Sequence, residues 1–281
     1  MAPALRYGNT GAMDAHKLAK VYEQEVMPGW EDRFVPFLLE AFPDSLPPKC
    51  QLLELGCTTG RLTQEIVRRL PPQGRLIAVD DNYQLIEQAR TKIAEPDRKR
   101  VFFKKEAPRD VSFAEKTFDG VLGAGVEAPG RLGEILQRVG PLLRPDGFLL
   151  LGTVLQGSFQ ELLDIFREIL EKEDLVSCQM AFDQFCRGFP DRAGAVRLLT
   201  EADFLSPRVR VRETAIPFAN GLALLQSPLV RHYCLEDCLS LIKDRSWREG
   251  VLAGMMRSLD TYFPSGIELT LQLGRLEASR G

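Results

Sequence analysis

The stretch Leu53-Glu54-Leu55-Gly56-Cys57-Thr58-Thr59-Gly60 decides the fold of this 281-residue chain. Residues 51–55 are short and apolar and run into glycine, which is typical of a buried strand. The turn 56–60 leads into a predicted helix at about 61–70, which ends at a Pro-Pro-Gln-Gly sequence. In an open α/β sheet, this first strand-to-helix turn is the usual place of ligand contact.

Strands and helices alternate beyond this turn. Predicted strands cover 76–79, 101–103, 118–122 and 148–154, and predicted helices cover 82–93, 132–139, 159–170 and 194–203. Two late segments, 209–216 and 267–276, alternate apolar and polar residues as strands at a sheet edge do. We therefore expect an α/β fold with a doubly wound, mostly parallel seven-stranded sheet and helices on both faces.

Two helical regions extend this sheet. Residues 1–50 predict an N-terminal helical cap, and residues 221–262 predict a helical insertion between the last two strands. The cofactor-binding domain would then comprise 51–220 and 263–281. The insertion has three open interpretations, which are a lid, a homodimer surface and an element that binds a protein partner.

Composition narrows the function classes. A formal net charge of −3 removes the simplest electrostatic case for a nucleic-acid partner. The six cysteines lack the paired spacing of a secreted scaffold, which predicts reduced thiols and a cytoplasmic protein. No apolar run is long enough to suggest a membrane span or a signal peptide.

A carboxylate follows the glycine turn at an informative distance. Asp80 ends the second predicted strand, 20 positions after Gly60. An acid at this place can accept hydrogen bonds from both hydroxyls of a ribose. The turn reads G-x-x-x-G, whereas a dinucleotide fingerprint requires G-x-G-x-x-G, so the pattern favours an adenosyl ligand over a dinucleotide.

The motifs in order resemble those of the class I S-adenosylmethionine-dependent methyltransferases. The glycine turn is similar to their first motif, E/D-x-G-x-G-x-G, and Ala78-Val79-Asp80 is similar to their ribose-binding strand end. Lys105-Glu106-Ala107 and Leu142-Leu143-Arg144-Pro145-Asp146-Gly147 resemble two later motifs. The resemblance covers residues 52–154 and implies S-adenosylmethionine as cofactor. It implies these cofactor-binding residues: Glu54, Gly56, Cys57, Thr58, Gly60, Asp80, Asp81, Glu106, Ala107 and Gly123.

One residue departs from the family pattern. Thr58 replaces the middle glycine with a stiff, branched side chain where the backbone normally lies against the cofactor. The chain is either an active enzyme that methylates an oxygen, nitrogen or carbon of a small molecule, or a degenerate cofactor-binding scaffold that acts through protein interactions. A protein or RNA acceptor is disfavoured by the acidic composition.

The sequence assigns no catalytic base. Three candidates are Glu127, which follows the fourth strand, and His16 and Tyr22, which lie in the N-terminal helices. His232, Cys234 and Cys238 offer soft metal ligands but lack a fourth, so we interpret them as part of a buried helix and predict no metal.

Overall fold

The computed structural model describes residues 15–126 and 130–281, with side chains described from residue 18 onward. The described residues contain a seven-stranded sheet in the order β3-β2-β1-β4-β5-β7-β6. The strands are β1 (Gln51–Leu55), β2 (Arg75–Asp80), β3 (Val101–Lys105), β4 (Phe118–Gly123), β5 (Leu143–Val154), β6 (Phe204–Phe218) and β7 (Ile267–Arg280). The helices are α1 (Ala15–Val21), α2 (Glu31–Leu39), α3 (Arg61–Arg69), α4 (Tyr83–Thr91), α5 (Leu132–Val139), α6 (Gln160–Lys172), α7 (Val176–Arg187), α8 (Arg192–Glu201), α9 (Gly221–Gln226), α10 (Pro228–Val230), α11 (Glu236–Ser240) and α12 (Ser246–Tyr262).

The sheet is mostly parallel. Strands β1 to β5 pair in parallel, and β7 runs antiparallel to both β5 and β6. The predicted fold class is therefore confirmed. The predicted edge position of 267–276 is wrong, because β7 lies between β5 and β6. The alternation in the first half of β7 reflects one buried and one partly exposed face, because Ile267, Leu269 and Leu271 are buried whereas Glu268 is exposed.

Alternating side chains along the strands build a core on each face. Leu52 and Leu122 face the core shared with α2, α3 and α6, whereas Leu53 and Val121 face the core shared with α5 and α8. The nearly continuous burial along the central strands β1 and β4 is typical of a parallel sheet covered by helices on both sides. This arrangement fixes the carboxyl ends of β1, β2 and β4 side by side.

The two helical regions meet over these carboxyl ends. Helices α1 and α2 are joined by a π-helical turn at Tyr22–Val26 and a short 3₁₀ turn at Met27–Gly29. The insertion begins after β6 and closes with α12, which packs on α6 where Gly254 lies against Ile169. The sequence did not predict α7, whose exposed residues include Met180 and whose apolar stripe is narrow.

Candidate functional site

The glycine turn leaves open space in front of its backbone. Gly56 follows β1 with a φ of +66°, and a Cβ atom built there would meet nothing within 4 Å. Gly60 has a different role, because its φ is +87° and its Cβ would lie 3.0 Å from the Cβ of Ala89 in α4. The first glycine thus borders a cavity, whereas the second permits close packing of two helices.

Asp80 lies opposite this turn with free acceptor capacity. Its Oδ2 accepts the Thr58 N–H at 2.9 Å, and its Oδ1 accepts the Asn82 N–H at 2.8 Å. A carboxylate offers about two acceptor sites per oxygen, so one site remains on each. Burial raises the pKa of Asp80 to about 7. The pair of remaining sites suits two adjacent hydroxyl groups.

Thr58 is held by a residue of the N-terminal cap. Its φ is +46°, a conformation that is unusual for a β-branched residue. Its hydroxyl donates to the Glu31 carboxylate, which also accepts the Tyr22 hydroxyl at 2.7 Å. The threonine that departs from the glycine pattern therefore makes a specific polar contact with the buried first turn of α2.

Three separated parts of the chain cover the cavity. The Trp30 ring stacks on the Tyr233 ring with centroids 3.7 Å apart, and its indole N–H donates to the Gly125 carbonyl at 3.4 Å. The hydroxyls of Tyr22 and Tyr233 lie 3.4 Å apart. The cap, the insertion and the segment after β4 thus close over the carboxyl ends of the strands.

The described residues enclose a cavity of about 70 Å³. Ligand pockets commonly have volumes of ~300–1,000 Å³. Admission of a nucleoside-sized ligand therefore requires the contacts between the cap and the glycine turn to loosen. Such a movement is typical of lids that exclude water from an active site.

A second buried acid lies beneath the turn. Glu54 is fully buried in β1, and its Oε2 accepts the Thr63 hydroxyl at 2.7 Å. Its Oε1 has no hydrogen-bond partner among the described residues. Burial raises the pKa of Glu54 to about 8 and that of Glu31 to about 7. Acids of this kind are uncommon outside functional sites, because an uncompensated buried carboxylate is costly.

The predicted cofactor residues fall into two groups. Those that line the cavity are Gly56, Thr58, Asp80 and Asp81. Those that do not line it are Glu54, Cys57, Gly60, Glu106, Ala107 and Gly123. The Glu106 carboxylate lies 2.8 Å from the Lys104 ammonium, and its N–H donates to the Asp80 carbonyl at 2.8 Å. Its predicted contact with an adenine stays a prediction.

Of the three catalytic candidates from the sequence, one lines the cavity and the side chains of the other two lie outside the described residues. Tyr22 lines the cavity. Glu127 lies outside the described residues, as does the side chain of His16, although the backbone of residue 16 belongs to α1. The sequence analysis did not place His232 at the site, yet it lines the cavity beside Tyr233. Burial lowers the pKa of His232 to about 4, so its imidazole is uncharged at neutral pH.

The two cysteines near His232 lie in the core. Cys234 and Cys238 are fully buried with their sulfur atoms 4.0 Å apart. His232 lines the cavity whereas the two cysteines are buried in the core, so the three residues do not share one environment. Within residues 15–126 and 130–281, no group of three or more potential ligands is arranged to hold a metal ion.

The residues that the sequence analysis missed come from the covering segments. Glu31, Trp30 and Tyr233 contact the turn or close the cavity. An acid in the first turn of a helix usually faces solvent and complements the helix dipole, so its sequence position gave no signal of burial. Asn82, which also lines the cavity, lies between β2 and α4 rather than in a covering segment. Its place could have been predicted, because an asparagine before a helix is a favoured N-cap, and its side chain accepts the Gln84 N–H.

Comparison with known proteins shows what the part of the chain around the site is similar to. Residues 52–147 match the family described as "Methyltransferase domain". The malonyl-[acyl-carrier protein] O-methyltransferase of Priestia megaterium is 31% identical over 127 residues, which are 45% of this chain and 44% of that protein. The chain spans 24% to 44% of the length of the curated relatives it matches.

Two solved structures share the fold at low sequence identity. Phosphoethanolamine N-methyltransferase 2 of Haemonchus contortus, in complex with S-adenosyl-L-methionine, aligns with a TM-score of 0.54 and 14% identity over 99% of this chain and 60% of that one. Geranyl diphosphate C-methyltransferase of Streptomyces coelicolor A3(2), in complex with S-adenosyl-L-homocysteine, aligns with a TM-score of 0.52 and 12% identity over 100% of this chain and 91% of that one.

The part of the chain that matches the family model is also the part that holds the glycine turn and Asp80. The matched residues contain β1 to β4, the glycine turn and Asp80. None of the helices in the described part of the chain has the length and apolarity that a bilayer span requires. Over residues 52–147, the chain is therefore similar in sequence to the methyltransferase-domain family, and its fold is similar to that of solved methyltransferases.

Proposed function

We propose that this chain is an S-adenosylmethionine-dependent methyltransferase that acts on an oxygen, nitrogen or carbon of a small molecule. One observation carries the proposal. The Asp80 carboxylate, with one free acceptor site per oxygen, faces the open backbone of Gly56 across a cavity at the carboxyl ends of the strands. This is the place where open α/β sheets bind nucleotide-like ligands.

The residues present fit the cofactor. Asp80 would accept the two ribose hydroxyls, Gly56 would let the cofactor lie against the main chain, and the Glu54 Oε1 atom offers an acceptor for a cationic group. The cofactor, when bound, supplies a methyl group on a positively charged sulfur that leaves as a neutral thioether. The protein mainly has to align the acceptor with this methyl group and exclude water.

The polar groups of the covering segments would contact the acceptor. Tyr22, His232 and Tyr233 line the cavity. An uncharged imidazole can take a proton from an acceptor hydroxyl or amine as the new bond forms. We therefore propose His232 as the base and the insertion 221–262 as a lid, with 1–50 as the cap and 51–220 with 263–281 as the cofactor-binding domain. The three relatives named above methylate an oxygen, a nitrogen and a carbon by their names, so they do not select the acceptor atom.

The first experiment is calorimetric titration with S-adenosylmethionine and S-adenosylhomocysteine. Asp80→Asn should weaken both ligands by tenfold or more, because it removes charge-assisted hydrogen bonds worth ~1.5–3 kcal/mol each. Asp110→Asn is the matched control, since Asp110 is exposed on a turn near the site and should leave both affinities unchanged. Absence of binding to the unaltered protein at millimolar ligand would exclude the proposed function.

Turnover is tested separately from binding. Release of S-adenosylhomocysteine is measured over a panel of small molecules with hydroxyl, amine and activated carbon acceptors. An acceptor that supports turnover identifies the substrate class, and His232→Gln should then lower kcat while the cofactor affinity stays unchanged. Tight cofactor binding with no turnover on any acceptor would favour the degenerate scaffold that the sequence left open.

A further inference from the structure

Three buried carboxylates surround the glycine turn. Glu31 from α2, Glu54 from β1 and Asp80 from β2 are 2%, 0% and 5% exposed; we call them the carboxylate cluster. They act on one another, since Glu31 and Asp80 both raise the pKa of Glu54, and Glu31 raises that of Asp80. The resemblance to known motifs accounts for Glu54 and Asp80, but it gives no role to Glu31.

The cluster has little compensating charge of its own. Lys92 of α4 is the cation that acts on Glu31, and its ammonium lies 2.5 Å from the Glu23 carboxylate. The neighbouring Asp32 adds further negative charge, although it pairs with Arg61 at 2.8 Å. One lysine that is already paired does not balance three carboxylates, so the site is strongly electronegative when they ionise.

An independent observation points to a ligand at this place. The Oε1 atom of the fully buried Glu54 has no hydrogen-bond partner among the described residues, although its Oε2 is satisfied by Thr63. A buried carboxylate oxygen without a donor is costly unless a ligand supplies one. Gly56, which has open space in front of its backbone, follows Glu54 by two positions in the sequence. The unpartnered Oε1 atom of Glu54 and the net negative charge of the carboxylate cluster both favour a ligand that carries a positive charge.

We propose that Glu31 is a specificity-determining residue, which completes the carboxylate cluster and makes the site prefer the sulfonium form of its cofactor over the uncharged thioether product. This inference rests on the proposed function. Glu31 is held in place by Thr58 and Tyr22, which both line the cavity and both donate to its Oε1. A charge fixed behind these two side chains attracts a cation in the cavity without touching it, because the low-dielectric surroundings screen it weakly.

The preference follows from the chemistry of the two ligands. They share the adenosine and the amino-acid group and differ by one methyl group and the positive charge on sulfur. An ionised Glu31 therefore stabilises one ligand and leaves the other nearly unaffected. Product would leave more readily than substrate, which favours repeated turnover.

The test compares both ligands on one substitution by calorimetry at pH 7.5. Glu31→Gln keeps the size and the acceptor oxygen for Thr58 and Tyr22 but removes the charge. We expect the affinity for S-adenosylmethionine to fall about tenfold, as for the loss of one partly screened charge, and the affinity for S-adenosylhomocysteine to change less than twofold. Asp32→Asn is the matched control, because it removes an exposed acid from the same helical turn and should leave the ratio of the two affinities unchanged.

An equal loss for both ligands in Glu31→Gln would overturn the inference, since it would mean that Glu31 only supports the fold of the turn. If the unaltered protein binds neither ligand, the proposed function fails instead, so the two failures are distinguishable. A second measurement covers the case in which the variant does not fold. The unaltered protein, titrated near pH 7 in buffers of different ionisation enthalpy, should release more protons on binding the sulfonium than on binding the thioether.

The groups that face Glu31 are Tyr22, Asp32, Thr58, Lys92, Glu54 and Asp80. Burial raises the pKa values of Glu54 and Asp80, like that of Glu31 itself, to between about 7 and 8, so the carboxylate cluster is the source of the released protons. Equal proton release for the two ligands would also contradict the proposed preference.

Discussion

Substitutions at Thr58 test how the cap and the glycine turn depend on each other. At pH 8, where Glu31 is largely ionised, Thr58→Ala removes a hydrogen bond to a charged group, which contributes ~1.5–3 kcal/mol to the free energy of unfolding. Alanine keeps the strain of the positive φ. Thr58→Gly loses the same bond but relieves ~1–2 kcal/mol of left-handed strain, less about 0.5 kcal/mol for the freedom that glycine adds to the unfolded chain.

The expected order of stability is therefore serine, glycine and then alanine. Thr58→Ser keeps the hydroxyl donor and removes the β-branch, so it should match the unaltered protein within about 0.5 kcal/mol. The free energy of unfolding of the glycine variant should exceed that of the alanine variant by about 1 kcal/mol. This order is the reverse of the one seen at ordinary helical positions. Urea unfolding at 25 °C measures each value. Alanine more stable than glycine would refute the positive φ, and a serine variant as unstable as alanine would refute the contact with Glu31.

Two further predictions concern stability. The raised pKa values of about 7, 8 and 7 for Glu31, Glu54 and Asp80 mean that the folded protein binds more protons than the unfolded chain above about pH 4. This contribution to stability is full below the unfolded pKa values and is lost as pH rises through 7 to 8. The ligand-free protein should therefore lose a few kcal/mol of unfolding free energy between pH 6 and pH 8, at about 1.4 kcal/mol per pKa unit; a flat profile in urea unfolding would contradict it. Gly60→Ala should cost about 2 kcal/mol or more, because the new Cβ meets Ala89 at 3.0 Å in a left-handed conformation, and thermal unfolding should show a Tm lower by several degrees.

The sequence predicts those site residues best whose position follows from a short stretch of neighbouring residues. The turn after β1 and the acid after β2 follow from short-range patterns, because a parallel sheet brings the ends of neighbouring strands to one edge. Glu31 could not be predicted, since it contacts Thr58, 27 positions later in the sequence, only after α2 has packed against the turn. The direction of His232 likewise depends on the π-helical turn Arg231–Leu235, which changes which side of the insertion faces the cavity.

The hydrogen bond between Thr58 and Glu31 gives each of these two unusual residues a structural role. A glycine at position 58 would leave the Glu31 carboxylate with Tyr22 as its hydroxyl donor, and an apolar residue at position 31 would leave the Thr58 hydroxyl without its acceptor on α2. Either change alone removes the hydrogen bond between the two side chains, so the two residues are expected to be coupled energetically. The same contact ties the cap to the turn that must admit the cofactor. The departure from the glycine pattern is thus better understood as a link between a covering segment and its site than as damage to that site.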